Sequence, residues 1–194
     1  AEEIIRDMTN NKSVSYEFSD KAVWHCASPE SITIPAAHYI KGKDHNRYNP
    51  IPIDPWVELL GWYVAEGCAV LNSANNQKSI FIRNTNQENR SRIAKLVEQC
   101  GFNPWNCPSG AVVIDSKQLY EFIRPLGDTH TKYIPMDVKA LPPKQLEMFL
   151  KGYLAGDGSL TKANQHCAVS ASKRLADDVQ EVMIKSGRST RQRT

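Results

Sequence analysis

Leu59-Leu60-Gly61-Trp62-Tyr63-Val64-Ala65-Glu66-Gly67 and Leu150-Lys151-Gly152-Tyr153-Leu154-Ala155-Gly156-Asp157-Gly158 are the two stretches on which the reading of this chain turns. Laid side by side, Gly61 falls on Gly152, Trp62 on Tyr153, Glu66 on Asp157 and Gly67 on Gly158. From position 66 to position 157 is 91 residues, so the chain carries an internal repeat. Each stretch ends a helical pattern. The first opens at Asp54-Pro55, a capping residue followed by a proline suited to the first turn; the second opens after Pro142-Pro143. Gly61 and Ala65, and again Gly152 and Gly156, lie four residues apart and so share one helix face. Glycine inside a helix costs roughly 1 kcal/mol against alanine, so two strips without bulk predict two helices whose backbones approach closely.

The acids sharpen this. Glu66 and Asp157 each fall in the last helical turn, where the helix dipole disfavours a negative charge by about 0.3–1 kcal/mol. If the helices pack in parallel through their small faces, both carboxylates reach one end of the pair. Two such groups within a few ångströms repel unless cations lie between them. Carboxylate oxygens completed by water and phosphate oxygens are the ligands Mg²⁺ takes, so the arrangement predicts a metal-dependent phosphodiesterase centre.

Around these helices the pattern is α+β. After the first helix, a hairpin is expected from Cys68–Leu71 to Lys78–Arg83, then an amphipathic helix over Asn86–Cys100 with Ile93, Leu96 and Val97 inward. Short strands at Asn103–Trp105 and Ala111–Ile114 and a helix over Ser116–Leu126 complete one unit. The second unit repeats the opening with a strand at Cys167–Ala171 and a helix over Ser172–Ser186. Residues 51–141 and 142–194 thus read as two repeats, the second shorter and lacking its last strands. Residues 1–50 read as an N-terminal extension, with strands at Val14–Phe18 and Ile32–Ile34 and a polar linker from Lys41 to Pro50.

Composition limits the alternatives. Of 194 residues, 41% are hydrophobic and 23% charged, a globular balance; no apolar run approaches a membrane span, and the start is acidic where a signal peptide is basic. The net charge of +3 permits nucleic-acid binding without requiring it. Five cysteines form no CxxC, and the adjacent pairs His25-Cys26 and His166-Cys167 match no zinc-ligand spacing, so reduced, core-filling thiols in the cytoplasm are expected.

The two stretches resemble the signature motifs of the LAGLIDADG (dodecapeptide) homing endonucleases, especially those embedded in inteins. The resemblance covers about residues 51–186. It implies αββαββα repeats related by a pseudo-twofold axis, with saddle-shaped antiparallel sheets over double-stranded DNA. It makes Glu66 and Asp157 the catalytic acids that bind Mg²⁺ (or Mn²⁺); the motif's sixth position, Val64 and Ala155 here, is not a ligand. Lys132-Tyr133-Ile134-Pro135 resembles the family's Lys-x-Ile-Pro element, 25 residues before Asp157, and implies an active-site role for Lys132, whose ammonium could stabilise the phosphate or orient water. The same resemblance implies DNA-binding side chains at Gln77, Lys78, Arg83 and Asn84, with Asn75 and Asn76 in the turn, and at Lys162, Asn164, Gln165 and Ser170 in the second repeat. Arg90 and Arg92, on a helix, are expected to face solvent or phosphate. The implied protein is a cytoplasmic or nucleoid-associated, non-secreted endonuclease domain. Residues 1–50 would be the trailing part of a splicing domain, with host-protein flanks or a further C-terminal piece as partners. The alternative on the same scaffold is a non-catalytic DNA- or RNA-binding module acting as splicing cofactor or regulator.

Overall fold

The computed structural model describes residues 14–18, 22–26, 30–38, 45–160 and 166–190. Strands β1 (Val14–Phe18), β2 (Ala22–Cys26), β3 (Ser31–Thr33) and β4 (Ile51–Pro52) form an antiparallel sheet in that order. Helix α1 (Ile53–Glu66) leaves β4 directly, with Pro52 at the capping position and no side-chain cap, two residues earlier than Asp54 would have set it. Then come β5 (Gly67–Asn72), β6 (Gln77–Arg83), α2 (Gln87–Gln99), β7 (Pro104–Cys107), β8 (Ala111–Asp115) and α3 (Lys117–Ile123), the expected αββαββα series. A 3₁₀ turn (Arg124–Leu126) and α4 (Met136–Lys139) lead to α5 (Pro143–Asp157), β9 (Gly158–Leu160), β10 (His166–Ala168) and α6 (Lys173–Lys185).

Local chemistry fixes the boundaries. Asn86 caps α2 by accepting from the N–H groups of Glu88 (2.8 Å) and Asn89 (3.2 Å), and Ser116 and Ser172 cap α3 and α6 in the same way. Helices α1 and α5 stop, as their sequences suggest, just before Gly67 and Gly158. Gly67 and Gly158 have extended, not left-handed, backbones. Glycine is needed there because the helix runs straight into a strand and a Cβ would strike its own last turn, 2.7 Å from the Cα of Tyr63 and 3.0 Å from that of Leu154.

The main sheet has the order β5-β6-β8-β7 and is antiparallel throughout. Ile80 pairs with Ile114 and Ile82 with Val112, and these side chains join α1, α2 and α3 in one core with Trp56, Leu59, Trp62, Ile93, Val97 and Leu119. The opposite face carries Gln77, Ser79, Phe81 and Arg83 in alternation. The N-terminal segment is not a detached linker. Ile32, Ile34 and Ile51 lie in the same core, and the buried Gln118 amide holds both ends of the segment, donating to the carbonyls of Ile34 (3.2 Å) and Arg47 (3.0 Å) and accepting from the Arg47 N–H (2.8 Å). Among the described residues no helix is long and apolar enough to cross a membrane. Among the thiols whose surroundings the structure describes, Cys100 fills core, Cys68 and Cys167 are exposed and Cys107 is half-buried.

Candidate active site at the paired helix ends

The seam between α1 and α5 is backbone against backbone. A Cβ on Gly61 would overlap the carbonyl oxygen of Phe149 and lie 2.9 Å from the amide nitrogen of Tyr153; one on Gly152 would overlap the carbonyl of Glu58 and sit 3.0 Å from the nitrogen of Trp62. The relation is reciprocal, as a pseudo-twofold pair requires. The helices run parallel. At their starts Lys144 Nζ lies 3.5 Å from Asp54 Oδ2, and at their ends a Cβ on Gly156 would be 3.1 Å from Cγ of Glu66. Glu66 therefore lies over the last turn of α5, beside Asp157.

The electrostatics follow from that convergence. Burial raises the Glu66 carboxyl above its usual value. Burial, then the repulsion of Glu66, pushes Asp157 from 3.8 up to about 6. Lys132 acts on both acids in the opposite sense, favouring the ionised forms. Lys132 is itself 5% exposed, and desolvation lowers its pKa while Asp157, Cys68, Glu66 and Asp128 raise it. Its ammonium donates to the carbonyls of Tyr63 (3.0 Å), Val64 (3.0 Å) and Gly67 (2.7 Å), and lies 5.3 Å over the Tyr63 ring. An ammonium has three N–H groups, and all three are engaged. Direct donation to a phosphate is thus not available in this arrangement. Lys132 instead neutralises the negative end of α1, where a cation is favoured, and fixes the turn that carries Glu66.

The segment that delivers Lys132 is rigidly tied. Gly127 has φ +91°, and Asp128 Oδ1 accepts from the N–H of His130 (3.0 Å) and the hydroxyl of Thr131 (2.9 Å), which holds its carboxyl below the usual range. Among the described residues no group of three or more His, Cys, Asp or Glu side chains is disposed to hold a metal. The available donor set is the two carboxylates. They fit a divalent cation, since it would relieve the repulsion between them, with water and phosphate oxygens completing the shell.

The DNA-facing candidates divide by sheet face. Gln77 and Arg83 are exposed on the side away from the helices. Lys78 is a correction. Side chains in a strand alternate with period 2, so Lys78 shares its side with Ile80 and Ile82, where it pairs with Glu121 (2.7 Å) and lies 5.4 Å from the Tyr120 ring. Asn84 is also turned to structure; its Oδ1 accepts from the N–H of Asn86 (3.0 Å) and the amide of Asn89 (3.2 Å). Lys162, Asn164 and Gln165 lie outside the described residues, and Ser170 bonds within the turn before α6. Arg90 donates to the carbonyls of Asn84 (2.9 Å) and Thr85 (2.8 Å), and Arg92 grips the buried Glu58 with two bonds of 2.8 and 2.5 Å. Both arginines are thus engaged by groups of the protein itself.

Three groups around the site escaped the sequence reading: Glu58, Ser172 and Asp178. A visible signal existed for two of them. Glu58 is a carboxylate inside the run Trp56-Val57-Glu58-Leu59-Leu60, and Asp178 stands on the apolar face defined by Leu175 and Val182.

Comparison with known proteins agrees with this geometry. Residues 144–193 match the family model described as a LAGLIDADG-like domain. Over 142 residues, 69% of the chain, the sequence is 27% identical to the DNA polymerase II large subunit of Thermococcus kodakarensis, and the match spans 8% of that protein's length. Mesophilic variants of the homing endonuclease I-DmoI superpose with a TM-score of 0.51 at 14% identity, covering 71% of this chain and 80% of theirs. I-DmoI in complex with DNA and Ca superposes with a TM-score of 0.50 at 14% identity, covering 71% and 75%. The mixed fold of helices and antiparallel sheets matches that of these homing endonucleases. Residues 144–193 thus resemble a LAGLIDADG-like domain, and 71% of the chain shares the fold of I-DmoI.

Proposed function

We propose that this chain is a site-specific double-strand DNA endonuclease domain of the homing type, dependent on Mg²⁺ or Mn²⁺ and carried by an intein. The observation behind the reading is the meeting of Glu66 and Asp157 at one end of the glycine seam, with Lys132 buried between them and the helix carbonyls. Bound there with DNA, a divalent cation would supply Lewis-acid activation of the scissile phosphate. Glu66 and Asp157 are the residues that would hold it. Lys132 favours the ionised form of both acids, against burial and their mutual repulsion, and locks the backbone behind Glu66. Gln77 and Arg83 face the duplex from the open side of the main sheet, where an arginine can donate to guanine and a glutamine can pair with adenine. Lys162 and Gln165 are the corresponding candidates in the second repeat.

The polymerase similarity supports the intein setting, because a homing-type segment occupying 8% of a large subunit's length is what an in-frame insert would look like. A Cys or Ser upstream and His-Asn downstream in the reading frame test that part. For the nuclease, supercoiled plasmid carrying the uninterrupted insertion site should be linearised in Mg²⁺ and left intact in EDTA. Glu66→Gln and Asp157→Asn should lose cleavage while still retarding DNA. Undiminished nicking by both variants would remove the assignment.

A further inference from the structure

The element that carries Lys132 has no regular structure of its own, so its buried backbone groups need partners from elsewhere. Those partners come from the second repeat. Ser172, 1% exposed, donates its hydroxyl to the Lys132 carbonyl at 2.7 Å while accepting from the Leu175 N–H at 3.2 Å as the cap of α6. Asp178, 7% exposed, accepts the Ile134 N–H at 2.9 Å through Oδ2 and the Lys139 ammonium at 2.8 Å through Oδ1. Between them the Arg174 guanidinium lies 3.9 Å from the centre of the Tyr133 ring. The cap and first turns of α6 thus grip three consecutive residues, Lys132, Tyr133 and Ile134, and the far end of the Lys132 side chain reaches α1 in the first repeat.

We propose that Ser172 and Asp178 are positioning residues that set the place of the Lys132 ammonium, and through it the end of α1 that carries Glu66. The second repeat then does more than supply its own acid. Its last described helix braces the acid of the first, so the first half of the site is built only when α6 is docked. Simple satisfaction of a buried amide would not require this chemistry. A neutral acceptor would serve Ile134, whereas a buried carboxylate carries a desolvation cost that Lys139 must offset. The activity readout rests on the nuclease reading; the structural readouts do not.

The test compares wild type with Ser172→Ala, Ser172→Thr and Asp178→Asn, alone and in a Lys132→Met background. Acetylation of Lys132, followed by mass spectrometry, should be at least tenfold faster in Ser172→Ala and Asp178→Asn, with exposed Lys95 labelled at an unchanged rate. In Mg²⁺, kcat should fall at least tenfold with KM within twofold, Ser172→Thr should restore it, and neither change should lower cleavage further once Lys132 is Met. Unchanged Lys132 protection, or an equal loss of kcat in the Lys132→Met background, would overturn the brace. Should the variants not fold, hydrogen exchange in the wild type decides. The Ile134 amide should exchange as slowly as the core of α1, and rapid exchange in the folded protein would overturn the proposal. A wild type that cleaves no DNA with either metal would remove the nuclease reading and leave labelling and exchange to judge the brace alone.

Discussion

Asp157 shows how the surroundings of a single side chain set its energetics. Its carboxyl is held near 6 by burial and by Glu66, above its ordinary 3.8. A carboxyl whose pKa is higher in the folded than in the unfolded chain favours folding while protonated. Its stabilising contribution is full below about pH 3.8 and is lost as the pH climbs through about 6. Asp157→Asn should therefore raise the Tm at pH 7.5 in EDTA, by about 2–4 °C for each kcal/mol of repulsion removed. The gain over wild type should shrink toward pH 4, and a variant that melts lower at pH 7.5 would contradict the repulsion. Stability gained with catalysis lost is the trade expected where a site is built from groups that repel. Glu58 shows the opposite case. It is 3% exposed, and the Arg92 fork satisfies it. Arg92→Met would leave that charge buried beside only Lys151, at 3.5 Å, and should destabilise by about 3–5 kcal/mol in urea unfolding, less to the extent that solvent reaches it. That the two acids form a pair was legible in the sequence, because the same dipole-opposed choice occurs twice beside the same glycine. That Arg92 serves Glu58 was not legible, because 34 residues separate them and only folding brings the helices together.

At the level of elements, the seam and the sheet each make a separable claim. Alanine is the better helix former by about 1 kcal/mol, so Gly61→Ala and Gly152→Ala would stabilise free helices. In this protein each new Cβ meets the partner's backbone, which cannot move aside as a side chain can. Both substitutions should destabilise by about 1–3 kcal/mol net, with the fall in Tm as the check; a neutral or stabilising result would mean the helices do not touch there. For the sheet, Arg83→Ala should weaken DNA affinity by about 1–3 kcal/mol and flatten its salt dependence, whereas Lys78→Met should leave affinity within about twofold. Fluorescence anisotropy over a salt series separates the two. The sequence placed both residues on one strand correctly. Their opposite faces were hidden because register decides facing, and the register of β6 is set by its pairing with β5 and β8 rather than by its own residues. The hairpin, the capped helices and the two signature helices were legible because caps, turns and apolar spacing are local properties. The strand expected at 167–171 ends instead at Ala168, where pairing with β9 stops.

On the scale of the whole molecule, two carboxylates make an incomplete shell for a divalent cation. Metal affinity should therefore depend on DNA. Isothermal titration of Mg²⁺ should show at least about tenfold weaker binding to the free protein than to the Asp157-competent protein–DNA complex; equal affinities would place the metal elsewhere. The same logic governs the N-terminal segment, which the composition marks as a separate extension but whose Ile32 and Ile34 lie in the core of the first repeat. The sequence by itself determined the duplication, the helix pair and the pairing of the two acids, because each is written in residue type and short spacing. The tertiary structure alone decided that Lys132 is turned onto the carbonyls of α1, that Lys78 faces inward and that α6 holds the segment between the repeats. Those outcomes depend on which distant backbone groups become buried together and must find partners, and no local pattern encodes that choice.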